Sequence, residues 1–473
     1  MTSSHLDIYC MAIGGTGMAP LACLLQEQGH RVRGTDGPLY PPMSTLLERA
    51  GIHPAVGYDP IHLEPRPDLV VIGNAVRRDN PEAVAAESLG LPIVSMPQAL
   101  ARFFLDHHRS LVVAGTHGKT TTTAMAAWIY TACGEQPGYL IGGAPKDLPG
   151  SFHDGPGDRF IVEGDEYNAA YFDRGPKFLH YQPETLLLTS AEYDHADLYP
   201  TPEALWEAYA KLIALLPADG FLVACGDLSG KSPKVRELAA KAPCRTLFYG
   251  LDAGNDLHPL GPVEELPEAS RFRLHDDEAG EIEVTLPLAG GHNVANALAV
   301  WAAARRDGIP ATALAAAFAR FHGVERRLDE LGTARGVTVV DDFAHHPTAV
   351  EKTLIALRQR YPGRRLVALF EPRSLTAGRR FFFEPYRQAF AGADRVLFAP
   401  TFHNGRLAPE ERLDFAALAA ALSADGVPTD LCADNEGLMR HALAEAGDGS
   451  VLVTMSSGSF EGMPHKLMAA LRG

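Results

Sequence analysis

The chain carries few cysteines, six in 473 residues, at positions 10, 23, 133, 225, 244 and 432. None are spaced as C-x-x-C and none match a zinc spacing, which argues against a disulfide framework or a cysteine-built metal centre. Several sit in apolar runs, Cys10 in IYCMAI and Cys225 in FLVACG, and read as reduced, buried residues. Long hydrophobic runs are also missing. No stretch of about 18 uninterrupted apolar residues exists to span a bilayer, so no membrane partner is expected. Basic charge is in deficit: 42 Lys and Arg against 58 Asp and Glu leave a formal net charge of −16. A nucleic-acid partner, which demands clustered basic residues, is not expected. The opening MTSSHLDIYC has no basic segment ahead of an apolar one, so a signal peptide is not expected and the protein should be cytoplasmic. Nothing marks an oligomeric interface.

One further absence is a single glycine. Residues 111–127 read LVVAGTHGKTTTTAMAA. The common phosphate-binding loop places a glycine five positions before the one at Gly118, but that place holds Val113. What remains is Gly115-Thr116-His117-Gly118-Lys119-Thr120, followed by Thr121, after an apolar strand and before a helix. Backbone N–H groups at the helix start can cradle phosphate oxygens. Lys119 can reach a transferred phosphate, and the Thr120 hydroxyl can ligate Mg²⁺.

The length suits two to four domains. Apolar runs bounded by Gly, Asp or Pro predict strands at 6–13, 69–73, 110–115, 159–164, 185–190, 220–225, 337–342, 365–370, 395–400 and 450–455. Helical patterns between them, such as NVANALAVWAAARR, imply an α/β protein with mainly parallel sheets. Seams after ALARFFLDHHRS and FHGVERRLDE divide the chain into 1–107, 108–325 and 326–473. Both the first and third domains are expected to be Rossmann-like, and the central one a P-loop-type ATPase.

Two metal-ligand candidates follow the loop. FIVEGDEYN puts Glu163 at a strand end, and LLLTSAEYDHAD puts His195 past another. Ligands collect at the C-terminal ends of parallel strands. There a carboxylate and an imidazole could hold Mg²⁺ between ATP and substrate. In LAGGHNVANALAV, Asn293 either caps a helix or reads an adenine edge, with His292 and Asn296 beside it. MAIGGTGMAP opens a helix after the first strand, although Pro20 replaces the third glycine of a dinucleotide fingerprint. Gly15, Thr16, Gly17 and Met18 form a candidate pyrophosphate turn, with Asp36 in RGTDG as a ribose acceptor. A nicotinamide-dependent oxidoreductase is therefore an alternative, but it leaves the central domain unexplained.

Taken together, GTHGKTTTT, EGDEYN, EYDHAD, GGHNVANALA, FHGVERR and DDFAHHP resemble the blocks of the Mur ligase family, in order and over essentially the whole chain. The family's G-T-x-G-K-T-T-T loop lacks the distant glycine. GGTGM and DDFAHHP resemble the muramate branch, whose substrate is UDP-N-acetylmuramate. LYPPMSTLLE, YFDRGPKFLHYQP, FEPRSLT and MSSGSFEGMPHKLM resemble its member that adds the tripeptide L-Ala-γ-D-Glu-meso-diaminopimelate in peptidoglycan recycling, rather than the one that adds L-alanine. Ala12, Asn168 and Phe343 stand where relatives more often carry Gly, Asp and Tyr. Lys211 lies near the D-H motif, but the carbamylated lysine of other relatives is not expected in this branch.

The resemblance implies ATP as cosubstrate, Mg²⁺ as metal, and an acyl phosphate formed on the lactoyl carboxylate. Lys119, Glu163 and His195 are then the catalytic set, with Thr120, Glu163 and His195 as metal ligands. Gly115, Thr116, Gly118, Lys119, Thr120, Thr121, Asn293, Arg326 and Asp342 face ATP. Gly15, Thr16, Gly17, Met18, Asp36 and Asn74 hold the UDP end. Arg373 and His346 meet the incoming peptide; for His345 and His346 a solvated pair is the other reading.

Overall fold

A computed structural model describes residues 5–40, 42–227, 234–401 and 407–473. Pro41 of LYPPMSTLLE and the first four residues of MTSSHLDIYC lie outside the described residues. The fold is α/β, with three principal sheets that follow one another along the chain.

The first sheet contains β1 (Asp7–Met11), β2 (Arg31–Asp36), β3 (Ala55–Val56), β4 (Leu69–Ile72) and β5 (Ile93–Ser95). Their order is β3-β2-β1-β4-β5, all parallel. The glycine-rich turn after β1 leads into the helix Met18–Glu27, placing GGTGM at the sheet's C-terminal edge, beside the switch in strand order.

The second sheet contains β6 (Arg109–Ala114), β7 (Gly138–Leu140), β8 (Phe152–His153), β9 (Arg159–Gly164), β10 (Thr185–Leu188), β11 (Phe221–Cys225) and β12 (Arg245–Tyr249). The order is β12-β11-β10-β6-β9-β7-β8, parallel except for β7 with β8. Its strands are buried on both faces: Leu111 and Val113 pack into one core, Val112 and Ala114 into another. That double burial is why the strands read as continuous apolar runs. The helices Lys119–Ala132 and Gly291–Arg306 cover the first of these faces. A small antiparallel sheet, β13 (Glu264–Glu265), β14 (Ser270–Asp276) and β15 (Gly280–Leu286), packs on the same unit.

The last sheet contains β16 (Asp329–Ala334), β17 (Val337–Asp342), β18 (Arg365–Phe370), β19 (Arg395–Phe398), β20 (Thr429–Leu431) and β21 (Ser450–Met455). Its order is β16-β17-β21-β18-β19-β20, with only β16 antiparallel. Among the described residues, no helix is long and apolar enough to cross a membrane.

Candidate active site

Strands β9, β6 and β10 lie side by side and end in register: Ala114 pairs with Gly164 and with Leu188. GTHGKT, EGDEYN and TSAEYDH, 80 residues apart at the extremes, therefore meet at one edge. Gly115 has φ +131°, and a Cβ there would lie 2.3 Å from Thr189 Oγ1 and 2.7 Å from Ser190 N. Gly118 has φ +82° and caps the helix Lys119–Ala132. Both conformations favour glycine; the first sets the loop against the segment that runs from β10 to His195, and the second against Asn296.

Lys119 turns back into this edge. Its Nζ donates to Gly115 O at 2.8 Å and to both Glu166 oxygens at 2.9 Å. Glu166 is 1% exposed and also meets His195 Nε2 at 3.0 Å. Burial alone would raise the Glu166 carboxyl, but Lys119, with His195, holds it down to about 2. Burial likewise opposes the charge on Lys119 and His195. Glu166 overcomes it for the lysine, and Asp194 with Glu166 raises the imidazole to about 9. His195 is thus an imidazolium, held at φ +53° by a turn in which its N–H donates to Asp194 Oδ1. It could bind a metal only after losing that proton and leaving Glu166.

Beside them, Thr120 Oγ1 donates to Glu163 Oε1 at 3.0 Å, and Glu163 Oε2 accepts from Gly142 N. Burial and then the neighbouring Asp165 push the Glu163 carboxyl up, against Lys119 and Arg327. A hydroxyl and crowded, hard carboxylate oxygens fit Mg²⁺, whose charge would relieve that repulsion.

Lys119, Thr120, Glu163 and His195 line a cavity of about 270 Å³ to which all three units contribute. Thr16 reaches it from the first. Asn293, Asn296 and His292 come from the helix Gly291–Arg306, and Asp342, Phe343, Ala344, Lys352 and Thr353 from the last unit. Thr116 and Thr121 also line it. Asn293 Nδ2 donates to Ala289 O at 2.8 Å, so its amide is partly spent on its own turn. Asp342 accepts from Leu328 N, Ala344 N and the Thr353 hydroxyl.

Other sequence-selected residues sit apart. Arg326 does not line the cavity: it faces Asp341 at 3.2 Å and Ser456 O at 2.9 Å, while Arg327 enters and reaches Thr120 Oγ1 at 3.2 Å. Asp36 accepts from Gly14 N and Gly37 N, tying β2 to the turn formed by Gly15, Gly17 and Met18. Asn74 is exposed after β4. Arg373 follows β18, faces Glu371 at 3.6 Å and packs on Gly458. His346 is buried and caps the helix Pro347–Arg360; burial also lowers its neighbour His345. Lys211 is exposed and pairs with Glu207. Sequence reasoning did not assign Glu166, Asp194 and Arg327, although each lies inside a quoted motif. A larger cavity of about 570 Å³ opens nearby, lined by Glu192, Tyr193, Trp206, His346, Phe381 and Phe382 among others.

Comparison with known proteins follows the same three-part division. "Mur ligase family, catalytic domain" matches residues 7–108, "Mur ligase middle domain" 113–304 and "Mur ligase, glutamate ligase domain" 326–458. A curated relative, the UDP-N-acetylmuramate--L-alanyl-gamma-D-glutamyl-meso-2,6-diaminoheptandioate ligase of Escherichia coli (strain K12), is 38% identical over 98% of each chain. The UDP-N-acetylmuramate--L-alanine ligase of Paenarthrobacter aurescens (strain TC1) is 33% identical over 98% of this chain and 97% of its own. The crystal structure of a murein peptide ligase from Psychrobacter arcticus 273-4 aligns with TM-score 0.72 at 32% identity, covering 99% of both chains.

Proposed function

Because the chain belongs to the Mur ligase family, and is an ATP-dependent, ADP-forming ligase, we propose that it joins UDP-N-acetylmuramate to L-Ala-γ-D-Glu-meso-diaminopimelate in the cytoplasm, in peptidoglycan recycling. The observation that carries the reading is the cavity in which Thr16, the Lys119 loop and Asp342 come together. A sugar acid held by the first unit can meet the terminal phosphate of ATP held by the other two.

In this reading residues 1–107 hold the UDP-sugar, 108–325 the nucleotide and 326–473 the peptide. Lys119 and Arg327 face the transferred phosphate. Thr120 and Glu163 would hold Mg²⁺, which supplies charge neutralisation there; His195 joins them once deprotonated. Asn293, Asn296 and Asp342 lie toward the adenosine end. Arg373 offers a guanidinium fork to a peptide carboxylate.

The lactoyl carboxylate oxygen attacks the γ-phosphorus, the bond to ADP breaks, and an acyl phosphate forms. The peptide amine then attacks the acyl carbon, loses a proton, and the tetrahedral intermediate expels inorganic phosphate. A carboxylate is a poor acylating agent and an acyl phosphate an activated one. What falls to the protein is positioning and charge stabilisation.

The test is phosphate release from ATP and UDP-N-acetylmuramate, with the tripeptide or with L-alanine as acceptor. Faster turnover with the tripeptide is expected. Preference for L-alanine would overturn the acceptor, and amide formation without ATP consumption would overturn the mechanism.

A further inference from the structure

Beside the phosphate edge, three ligand-type side chains from three segments converge where the central and last units meet. His117 comes from the phosphate loop, Glu192 from the segment after β10, and His346 from the start of the helix Pro347–Arg360. One ligand atom from each lies within 4.8 Å of the others. We propose that His117, Glu192 and His346 form a metal site, distinct from the Mg²⁺ site at Thr120 and Glu163, that takes one transition cation of the Zn²⁺ class and ties the last unit to the phosphate loop.

Geometry and donor chemistry carry the inference. An ion bound at about 2.1 Å by tetrahedrally arranged ligands needs them about 3.4 Å apart. His117 Nε2 and Glu192 Oε2 are 3.6 Å apart, and no two of the three ligand atoms are more than 4.8 Å apart. The Nε2 atoms of both His117 and His346 are buried with no hydrogen-bond partner among the described residues. Buried polar atoms are rarely left so, and an orphaned pair facing one carboxylate is what a missing ligand leaves behind. Two imidazoles with one carboxylate suit Zn²⁺ or Co²⁺, whereas Mg²⁺ prefers oxygen alone.

Thr348 Oγ1 donates to Glu192 Oε2 at 2.6 Å, an outer-shell bond that orients this ligand. Binding at His346 Nε2 would move the ring proton to Nδ1 and end the 3.2 Å bond from Thr348 N, a weak cap set against a metal–nitrogen bond. The site lies between two cavities: His117 lines the nucleotide cavity, and Glu192 and His346 line the larger one.

The experiment titrates the chelator-treated full chain with Co²⁺, followed by visible absorption, then displaces it with Zn²⁺. One equivalent with the intense bands of a low-coordinate site is expected. Glu192→Gln and His346→Gln should each weaken it by more than about a hundredfold, beyond the cost of losing an outer-shell partner. Glu163→Gln should leave it in place. Failure to take up Co²⁺, or bands that persist in the first two variants and vanish in the third, would overturn the site. Should those two variants fail to fold, X-ray absorption of wild-type protein holding one Zn²⁺ decides: two imidazoles support the site, fewer overturn it.

Discussion

Lys119, Glu166 and His195 form one electrostatic unit, and each depends on the others for its charge. In the proposed reaction, removing the lysine takes away the cation that would face the transferred phosphate. Lys119→Ala should cut ADP release by about 10²- to 10³-fold, the usual effect of losing such a stabilising donor; a stopped-time ADP assay measures it. Glu166→Gln is subtler. Burial then acts on Lys119 with less opposition, its proton is lost more easily, and the alkaline limb of the rate profile should move to lower pH. His195 also predicts a stability profile. Its folded value, about 9, exceeds the ordinary 6.5, so its contribution is complete below pH 6.5 and lost as pH rises through 9. Urea unfolding across that window should show a decline, of about 3 kcal/mol at most, that His195→Asn lacks. Much of this was readable residue by residue, because GKT, EGDEY and EYDH each carry their chemistry openly. The choice between adjacent arginines was not. Arg326 has φ +59°, which sends its side chain to β17 and leaves Arg327 for the cleft. Ala12 is similar: at φ +58° it holds the left-handed turn for which glycine is the cheaper residue.

Among elements, the phosphate loop works because its neighbours are fixed. Gly115→Ala would set a Cβ against Thr189 and Ser190 at a φ that disfavours side chains. A loss of about 2 kcal/mol is expected, with weakened ATP binding; thermal shift with and without nucleotide checks both. All ten strands predicted from apolar runs are present, because strands buried on both faces advertise themselves. β14 and β15 went unseen for the opposite reason: one face of each meets the core and the other water, so their residues alternate. β3, β8 and β20 are too short to leave a pattern.

Across the whole molecule, the last unit meets the central one largely through polar contacts, among them Lys146 with Asp329 and Gln359 with Gly290, Leu266 and Ala269. Arg327 reaches Thr120, Thr348 reaches Glu192, and Thr376 Oγ1 accepts from Ala196 N. Contacts of this kind let units move relative to one another. Adding an ATP analogue with UDP-N-acetylmuramate should lower the radius of gyration in small-angle scattering, and an unchanged profile would count against closure. Sequence motifs named the parts of this cleft but not their arrangement, since which loops become neighbours depends on strand order.

That Lys119 carries its own carboxylate, fixed in the fold, bears on which phosphates the enzyme would notice. Orthophosphate or pyrophosphate arriving alone would have to compete with Glu166 for the ammonium. A nucleotide escorted by a divalent ion brings positive charge with it and need not break that contact. In a cell crowded with anionic phosphates, an internal counterion of this kind would favour the metal-bound nucleotide over the bare anion.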